Sequence, residues 1–109
     1  MRLIDPSETV AVSLDGDTLF VKARMSWYDE NEIIKKHRLG DESNSQHNYN
    51  TLLLQQNVTG WEGEGFGGVA FTKENLLRMP ANDPLMVAAF EKIKELNATP
   101  YTPEKKETI

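Results

Sequence analysis

A two-residue Asp15-Gly16 loop with alternating apolar and polar residues on both sides constrains the fold of this chain more than any other feature. The alternation predicts a β-hairpin over residues 9–25. Asp-Gly suits a type I′ turn, because the twist of that turn matches the twist of the flanking strands. The register then places the apolar side chains on one face of the hairpin. The predicted pairs are Leu14 with Asp17, Val12 with Leu19, and Val10 with Val21.

A tryptophan followed by a glycine-dense segment lies in the middle of the chain. Five glycines occur between Gly60 and Gly68, which predicts an irregular turn directly after Trp61. Three of them spell G-x-G-x-x-G, but a dinucleotide-binding loop would open a helix inside a βαβ unit, and here an apolar segment follows. That segment, residues 69–71, is long enough for a short strand that would extend the hairpin to three strands.

The first helix is predicted from the signals at its two ends. Ser26 is suited to the N-cap, Asp29 adds a weak capping box, and Gly40 stands at the C′ position. The stripe expected to be buried consists of Trp27, Ile33, Ile34 and His37. The polar residues 41–50 that follow predict a long, mobile connection.

The apolar run at residues 52–54 fits either a buried strand or a short helix, because periodicity alone does not separate the two. We favour a helical turn or two that becomes extended chain between Val58 and Trp61. Whether residues 50–56 are helix or strand stays open at this point.

The last third of the chain carries two further helix starts. Thr72 is expected to cap a short helix closed by Pro80, and Asn82 or Asp83 caps the next helix, with Pro84 at its first position. The buried face of the last helix is predicted to contain Met86, Phe90, Ile93 and Asn97, flanked by Leu85, Ala89 and Leu96. Residues 98–109 contain two prolines and four charges, which predicts a flexible tail.

These elements predict an α+β fold in one domain, residues 1–97, with residues 98–109 as the tail. A hairpin or a three-stranded antiparallel sheet packs against about three helices. The length of 109 residues leaves no room for a second core.

Charge and composition exclude several classes of function. The net charge of −5 argues against a nucleic-acid-binding surface, which depends on clustered cations. Cysteine is absent, so disulfides, thiolate metal sites and cysteine nucleophiles are excluded. No window approaches the ~18 apolar residues of a membrane-spanning helix, and residues 1–6 lack a signal-peptide core. We expect a protein that contacts no membrane and stays in the cytoplasm.

No residue pattern predicts catalysis, and we expect no enzyme. His37 and His47 have no partner at metal-ligand spacing, the carboxylates are scattered over turns and helix starts, and no serine lies in a nucleophile elbow. We therefore expect no catalytic residue, no cofactor and no metal site.

The aromatic residues around the glycine turn are the candidate partner-binding residues: Trp61, Phe66 and Phe71. A tryptophan in so small a domain usually anchors the core or its rim. The alternative is an exposed hot spot for a protein partner, which the neighbouring flexible turn favours.

A block of sequence from Gly-Trp-Glu-Gly at residues 60–63 to Gly-Val-Ala-Phe-Thr-Lys-Glu-Asn-Leu at residues 68–76 follows the hairpin and precedes the last helix. This succession resembles the small tail assembly chaperones of long-tailed bacteriophages and prophages. The resemblance covers roughly residues 9–97 and implies a non-enzymatic factor that guards the tape-measure protein in the host cytoplasm until tube subunits polymerise around it.

The implied partners are the tape-measure protein and the tail tube protein, with self-association also possible, and without nucleic acid or membrane. The same block occurs in minor virion proteins. The alternative function is therefore a structural subunit of the virion, at the tail or at the head–tail joint.

Overall fold

The computed structural model describes residues 2–38 and 45–101, and the backbone alone for residues 45–48. Over these ranges three strands form one antiparallel sheet that packs with helices, which confirms the predicted α+β class. The elements are β1 (Thr9–Leu14), β2 (Asp17–Lys22), α1 (Trp27–Arg38), α2 (Ser45–Asn57), β3 (Val58–Glu62), a 3-10 helix (Glu64–Phe66), α3 (Lys73–Leu76) and α4 (Pro84–Leu96).

The hairpin forms in the predicted register, with Val10 opposite Val21 and Val12 opposite Leu19. Asp15 has φ 54° and Gly16 has φ 86°, the positive values that a type I′ turn requires at both central residues. The paired apolar face is directed at the core, where the β2 side chains Leu19 and Val21 are completely buried. The second strand of the hairpin is shorter than predicted, because β2 ends at Lys22 and does not extend to residue 25.

The third strand of the sheet is β3, and the prediction of a strand at residues 69–71 is wrong. β3 pairs antiparallel with β2, and the order β1-β2-β3 fills both edges of β2. Because the residues directly before the glycine turn already occupy the second edge of β2, residues 69–71 pair with no strand in the described part of the chain.

Helix α1 begins as predicted but presents a different face to the core. The Ser26 hydroxyl accepts from the Asp29 backbone N–H at 3.2 Å, and the Asp29 carboxylate accepts from the Ser26 N–H at 3.0 Å, which confirms the capping box. Ile33 is buried, whereas Trp27 is 82% exposed and Ile34 is 45% exposed. The prediction that Trp27 and Ile34 belong to the buried stripe is therefore wrong.

The following helix, α2, begins at Ser45, so the predicted connection at residues 41–50 is wrong from residue 45 onward. α2 lies against α1 and α4 and buries Leu53, and this packing stabilises a segment whose own helical pattern is weak. The predicted change from helix to extended chain at Val58 is confirmed. Gly40, the expected C′ residue of α1, lies outside the described residues.

The last two helices have the predicted caps. The Thr72 hydroxyl accepts from the Asn75 N–H at 2.9 Å, and the Asp83 carboxylate accepts from the Leu85 N–H at 2.8 Å, with Pro84 at the first position of α4. α4 lies against β1 and β2 and completes the core. Its buried residues are Leu85, Met86, Ala89 and Ile93.

The end of α4 is held against the start of α1. The Asn97 side chain donates to the Ile93 carbonyl at 2.8 Å and accepts from the Met25 N–H at 3.0 Å. Arg24 donates to the carbonyls of Leu96 and Thr99 at 3.2 and 2.5 Å. Of the predicted tail, residues 98–101 are described, and residues 102–109 lie outside the described part.

Candidate partner-binding surface

The three aromatic residues predicted as partner-binding form one cluster beside β3. The rings of Trp61 and Phe66 stack with centroids 4.4 Å apart and planes 9° apart, and Phe71 meets Trp61 edge-on at 5.3 Å. The indole N–H of Trp61 donates to the carbonyl of Val69 at 2.9 Å. All three side chains are half-buried and pack on the core. The cluster thus lies at the rim of the core, with part of each ring open to solvent.

The sheet decides where the Trp61 ring lies. Trp61 is directly opposite Leu19 across the β2–β3 pair, and opposite residues in an antiparallel pair project to the same face. Because Leu19 is completely buried, Trp61 leaves the strand on the core side of the sheet and reaches its rim.

The glycine turn places Phe66 on the indole by folding over the hairpin. The Gly65 N–H donates to the Asp17 carboxylate at 2.9 Å, so the turn is held to the first residue of β2. A Cβ at Gly63 would lie 2.8 Å from the Asp17 Cα, and a Cβ at Gly65 would collide with the Asp17 carboxylate. Gly63 also has φ 137°, a conformation available essentially to glycine alone. Gly63 is therefore needed for this close approach, whereas a Cβ at Gly65 would meet only the end of the Asp17 side chain.

A groove of about 400 Å³ opens between the glycine turn, the hairpin turn and the α3–α4 connection. Trp61 and Phe66 form part of its wall, and Met79 and Leu85 add aliphatic surface from the other side. Its polar lining residues are Asp15, Asp17, Asn75, Arg78 and Asp83. The arrangement combines stacked aromatic rings with a mainly acidic surround, which is suited to an apolar side chain of a partner with nearby positive charge.

Phe71 belongs to the cluster but is not among the described residues that line the groove. The Phe71 ring meets the indole edge-on, and the Lys73 ammonium lies 6.0 Å from the Phe71 ring centroid. The structure therefore separates the three predicted residues into two that face the groove and one that supports them.

Two charged groups with shifted pKa values, Asp29 and Lys73, stabilise the ends of helices. Asp29 is 4% exposed and accepts from Lys22 at 2.5 Å and from Gln56 at 2.8 Å. Burial raises the pKa of Asp29, but these hydrogen bonds and the one from the Ser26 N–H outweigh burial and hold the pKa below its ordinary value. One carboxylate thereby joins β2, α1 and α2.

Lys73 has a similar structural role. Its ammonium donates to the carbonyls of Gln55 and Val58, at the C-terminal end of α2 where backbone carbonyls lack helical partners. Desolvation lowers the pKa of Lys73, and the nearby charge of Lys22 lowers it further. The hydrogen bonds of Asp29 and Lys73 thus join separate elements of the fold.

The two histidines lie on different helices, His37 in α1 and His47 in α2. The His37 ring meets Tyr49 edge-on at 5.8 Å, and its Nδ1 is buried without a hydrogen bond. His47 lies in α2 and not in the predicted polar connection. Over residues 2–38 and 45–101, no group of three or more His, Asp or Glu side chains is placed to hold a metal ion.

A second aromatic surface was missed by the sequence analysis. Trp27 and Tyr28, at the start of α1, are 82% and 67% exposed. The sequence feature that indicates this surface is Asp29. Positions two apart on a helix lie about 200° apart, so Asp29 and Trp27 cannot both face the core. Because the capping box and Ile33 fix the inward side of α1, Trp27 faces solvent.

Comparison with protein-family models, with curated proteins and with solved structures found no significant match to this chain. In the part of the chain that is described, no helix has the length and apolar character needed to cross a bilayer. The resemblance to tail assembly chaperones stays a prediction.

Proposed function

We propose that this chain is a non-enzymatic morphogenesis factor of a long-tailed phage. In this proposal the groove beside Trp61 and Phe66 binds an apolar side chain of the tape-measure protein or of the tail tube protein during assembly. The observation that carries the binding site is the Trp61–Phe66 stack, a half-exposed aromatic pair at the wall of a groove of about 400 Å³.

The aromatic stack favours protein binding for an energetic reason. Tryptophan and other large aromatic side chains contribute most of the affinity in many protein interfaces, particularly where neighbouring groups exclude water. Here the indole is already ordered by its hydrogen bond to Val69 and by Phe71. A pre-ordered side chain loses little conformational freedom on binding, so more of the contact energy is available for affinity.

Charge narrows the class of partner. Three aspartates and one arginine line the groove, and the whole chain carries a net charge of −5. An acidic surface of this kind attracts a segment that carries lysine or arginine next to its apolar residues. A basic amphipathic helix of the tape-measure protein has the required character, and helices commonly bind grooves through a few apolar side chains.

Co-expression with the tape-measure and tube proteins of the same phage tests the proposal. We expect one of them to co-purify with the wild-type chain and to be lost with Phe66→Ala. Phe90→Ala is the matched control, because Phe90 is also a half-buried phenylalanine that packs on the core but lies outside the groove lining. Equal loss with both variants, at equal melting temperatures, would contradict the assignment of the groove.

Mass spectrometry of purified particles separates an assembly factor from a virion subunit. An assembly factor is absent from finished particles, whereas a subunit at the tail or head–tail joint is present at a fixed copy number. We expect absence. Detection at a stoichiometric level would replace the proposed function with the structural alternative.

A further inference from the structure

The outward side of α1 carries an apolar and cationic stripe that none of the described elements covers. Trp27, Asn31, Ile34 and Arg38 follow one another at intervals of four, three and four residues, which places them on one line of the helix. Trp27 is 82% and Ile34 45% exposed. Asp29 and Ile33, on the opposite side of α1, are buried. The stripe is therefore exposed because of the way α1 is oriented in the fold.

The same stripe contains a depression. Asn31, Ile34, Lys35 and Arg38 surround an open pocket of about 390 Å³. Their spacing of i, i+3, i+4 and i+7 is that of the four residues that receive one large side chain from a facing helix. α1 therefore presents, about two turns apart on its outer side, a large projecting aromatic residue and a hole of the kind that receives such a residue.

We infer that α1 is a self-association surface on which two copies of this chain pair through antiparallel α1 helices. A two-fold axis near Asn31 places Trp27 of each copy over the hole of the other copy. Both contacts are made at once, because a two-fold interface uses the same patch on both copies. Aromatic side chains on helices project toward the N-terminus, which in an antiparallel pair directs the indole toward Lys35 and Arg38 of the second copy.

The distribution of charge fits this arrangement. Trp27 and Tyr28 are at the N-terminal end of α1, and Lys35 and Arg38 are at its C-terminal end. Antiparallel pairing brings each aromatic pair to the cations of the other copy, where cation–π contacts form. It also opposes the positive and negative ends of the two helix dipoles. A parallel pairing would place cations against cations and leave both holes empty.

The size of the surface sets the expected strength. A helix of twelve residues is about 18 Å long, so one pair of α1 faces lies well below the roughly 800 Å² per partner of a standard interface. We therefore expect a reversible dimer with a dissociation constant on the order of 10 μM or weaker.

Sedimentation equilibrium over a concentration series up to about 1 mM tests the inference. We expect the apparent mass to rise from 12.4 kDa toward twice that value. Trp27→Ala is expected to weaken the dimer about thirtyfold or more, as for an interface hot spot. Leu77→Ala, which removes another exposed apolar side chain from a different element, is the matched control and leaves the dimer intact.

Because the chain has no cysteine, a single introduced thiol reports the geometry directly. Asn31→Cys lies next to the proposed axis, and a short bismaleimide is expected to link two copies through it. Val87→Cys, exposed on the outer side of α4, gives no linked dimer. The inference is overturned if the chain stays monomeric throughout the concentration series or if Trp27→Ala dimerises as the wild type does. It is also overturned if the wild type is a monomer and Trp27→Ala loses a phage protein that co-purifies with the wild type.

Discussion

The two tryptophans of this chain are in opposite situations although Trp27 is the first residue of α1 and Trp61 the last but one of β3. Phe66 stacks on the Trp61 ring, Phe71 meets the ring at a right angle, and the Trp61 N–H donates to the Val69 carbonyl. Trp27 is 82% exposed at the start of α1. Neighbours, and not residue type, decide which tryptophan is fixed against the core and which is almost fully exposed.

The difference arises from the two kinds of element. In the sheet, the direction of Trp61 follows from its pairing with Leu19. In the helix, Trp27 points outward because Asp29 and Ile33, on the other side of α1, are the residues that are buried and make contacts in the core. A helix residue is thus oriented by competition among its faces.

The largest expected effect distinguishes the two tryptophans by stability. Trp61→Ala should lower the free energy of unfolding by about 3 kcal/mol or more, because it removes two ring contacts and opens the rim of the core. Trp27→Ala should change it by less than about 0.5 kcal/mol, as exposed substitutions usually do. Urea unfolding followed by circular dichroism at low micromolar concentration measures both. Equal losses would show that exposure does not separate the two tryptophans.

The glycine turn that closes over Trp61 gives the next effect. Gly63→Ala should cost about 2–3 kcal/mol, because the new Cβ meets the Asp17 backbone and φ is 137°. Gly67→Ala is the control, since Gly67 has φ 60° but open space around it, and it should cost only about 1–2 kcal/mol. Thermal unfolding of the two variants compares them. The explanation fails if Gly67→Ala is the more harmful.

The network that fixes α1, and so exposes Trp27, should give a pH-dependent effect. The pKa of Asp29 is held below its ordinary value in the folded protein, so its stabilising contribution is present at neutral pH and is lost as pH falls below about 4, through the folded-state pKa. Asp29→Asn should be about 2 kcal/mol less stable at pH 7.

This difference between the wild type and Asp29→Asn should shrink as Asp29 becomes protonated. Urea unfolding at a series of values from pH 7 to pH 2.5 measures it. A difference that stays constant across the series would show that Asp29 stabilises α1 without its charge.

Much of the local structure was predictable from the sequence. The type I′ turn, the capping residues Ser26, Thr72 and Asp83, and the buried face of α4 all depend on groups within a few residues of one another. The sequence also indicates the three aromatic residues of the cluster, but it does not indicate which of them face a groove. That groove depends on the approach of the glycine turn to Asp17, 48 residues away.

The amino-acid sequence by itself determined the hairpin and its register, the ends of the helices and the α+β class, because turn geometry, capping and side-chain periodicity act over short distances. Only the tertiary structure decided that β3, and not residues 69–71, occupies the free edge of β2. Only the tertiary structure turned Asp29 inward and Trp27 outward, since Lys22 and Gln56 reach Asp29 from other elements. Long-range contacts select among faces and edges that the local pattern leaves equally acceptable.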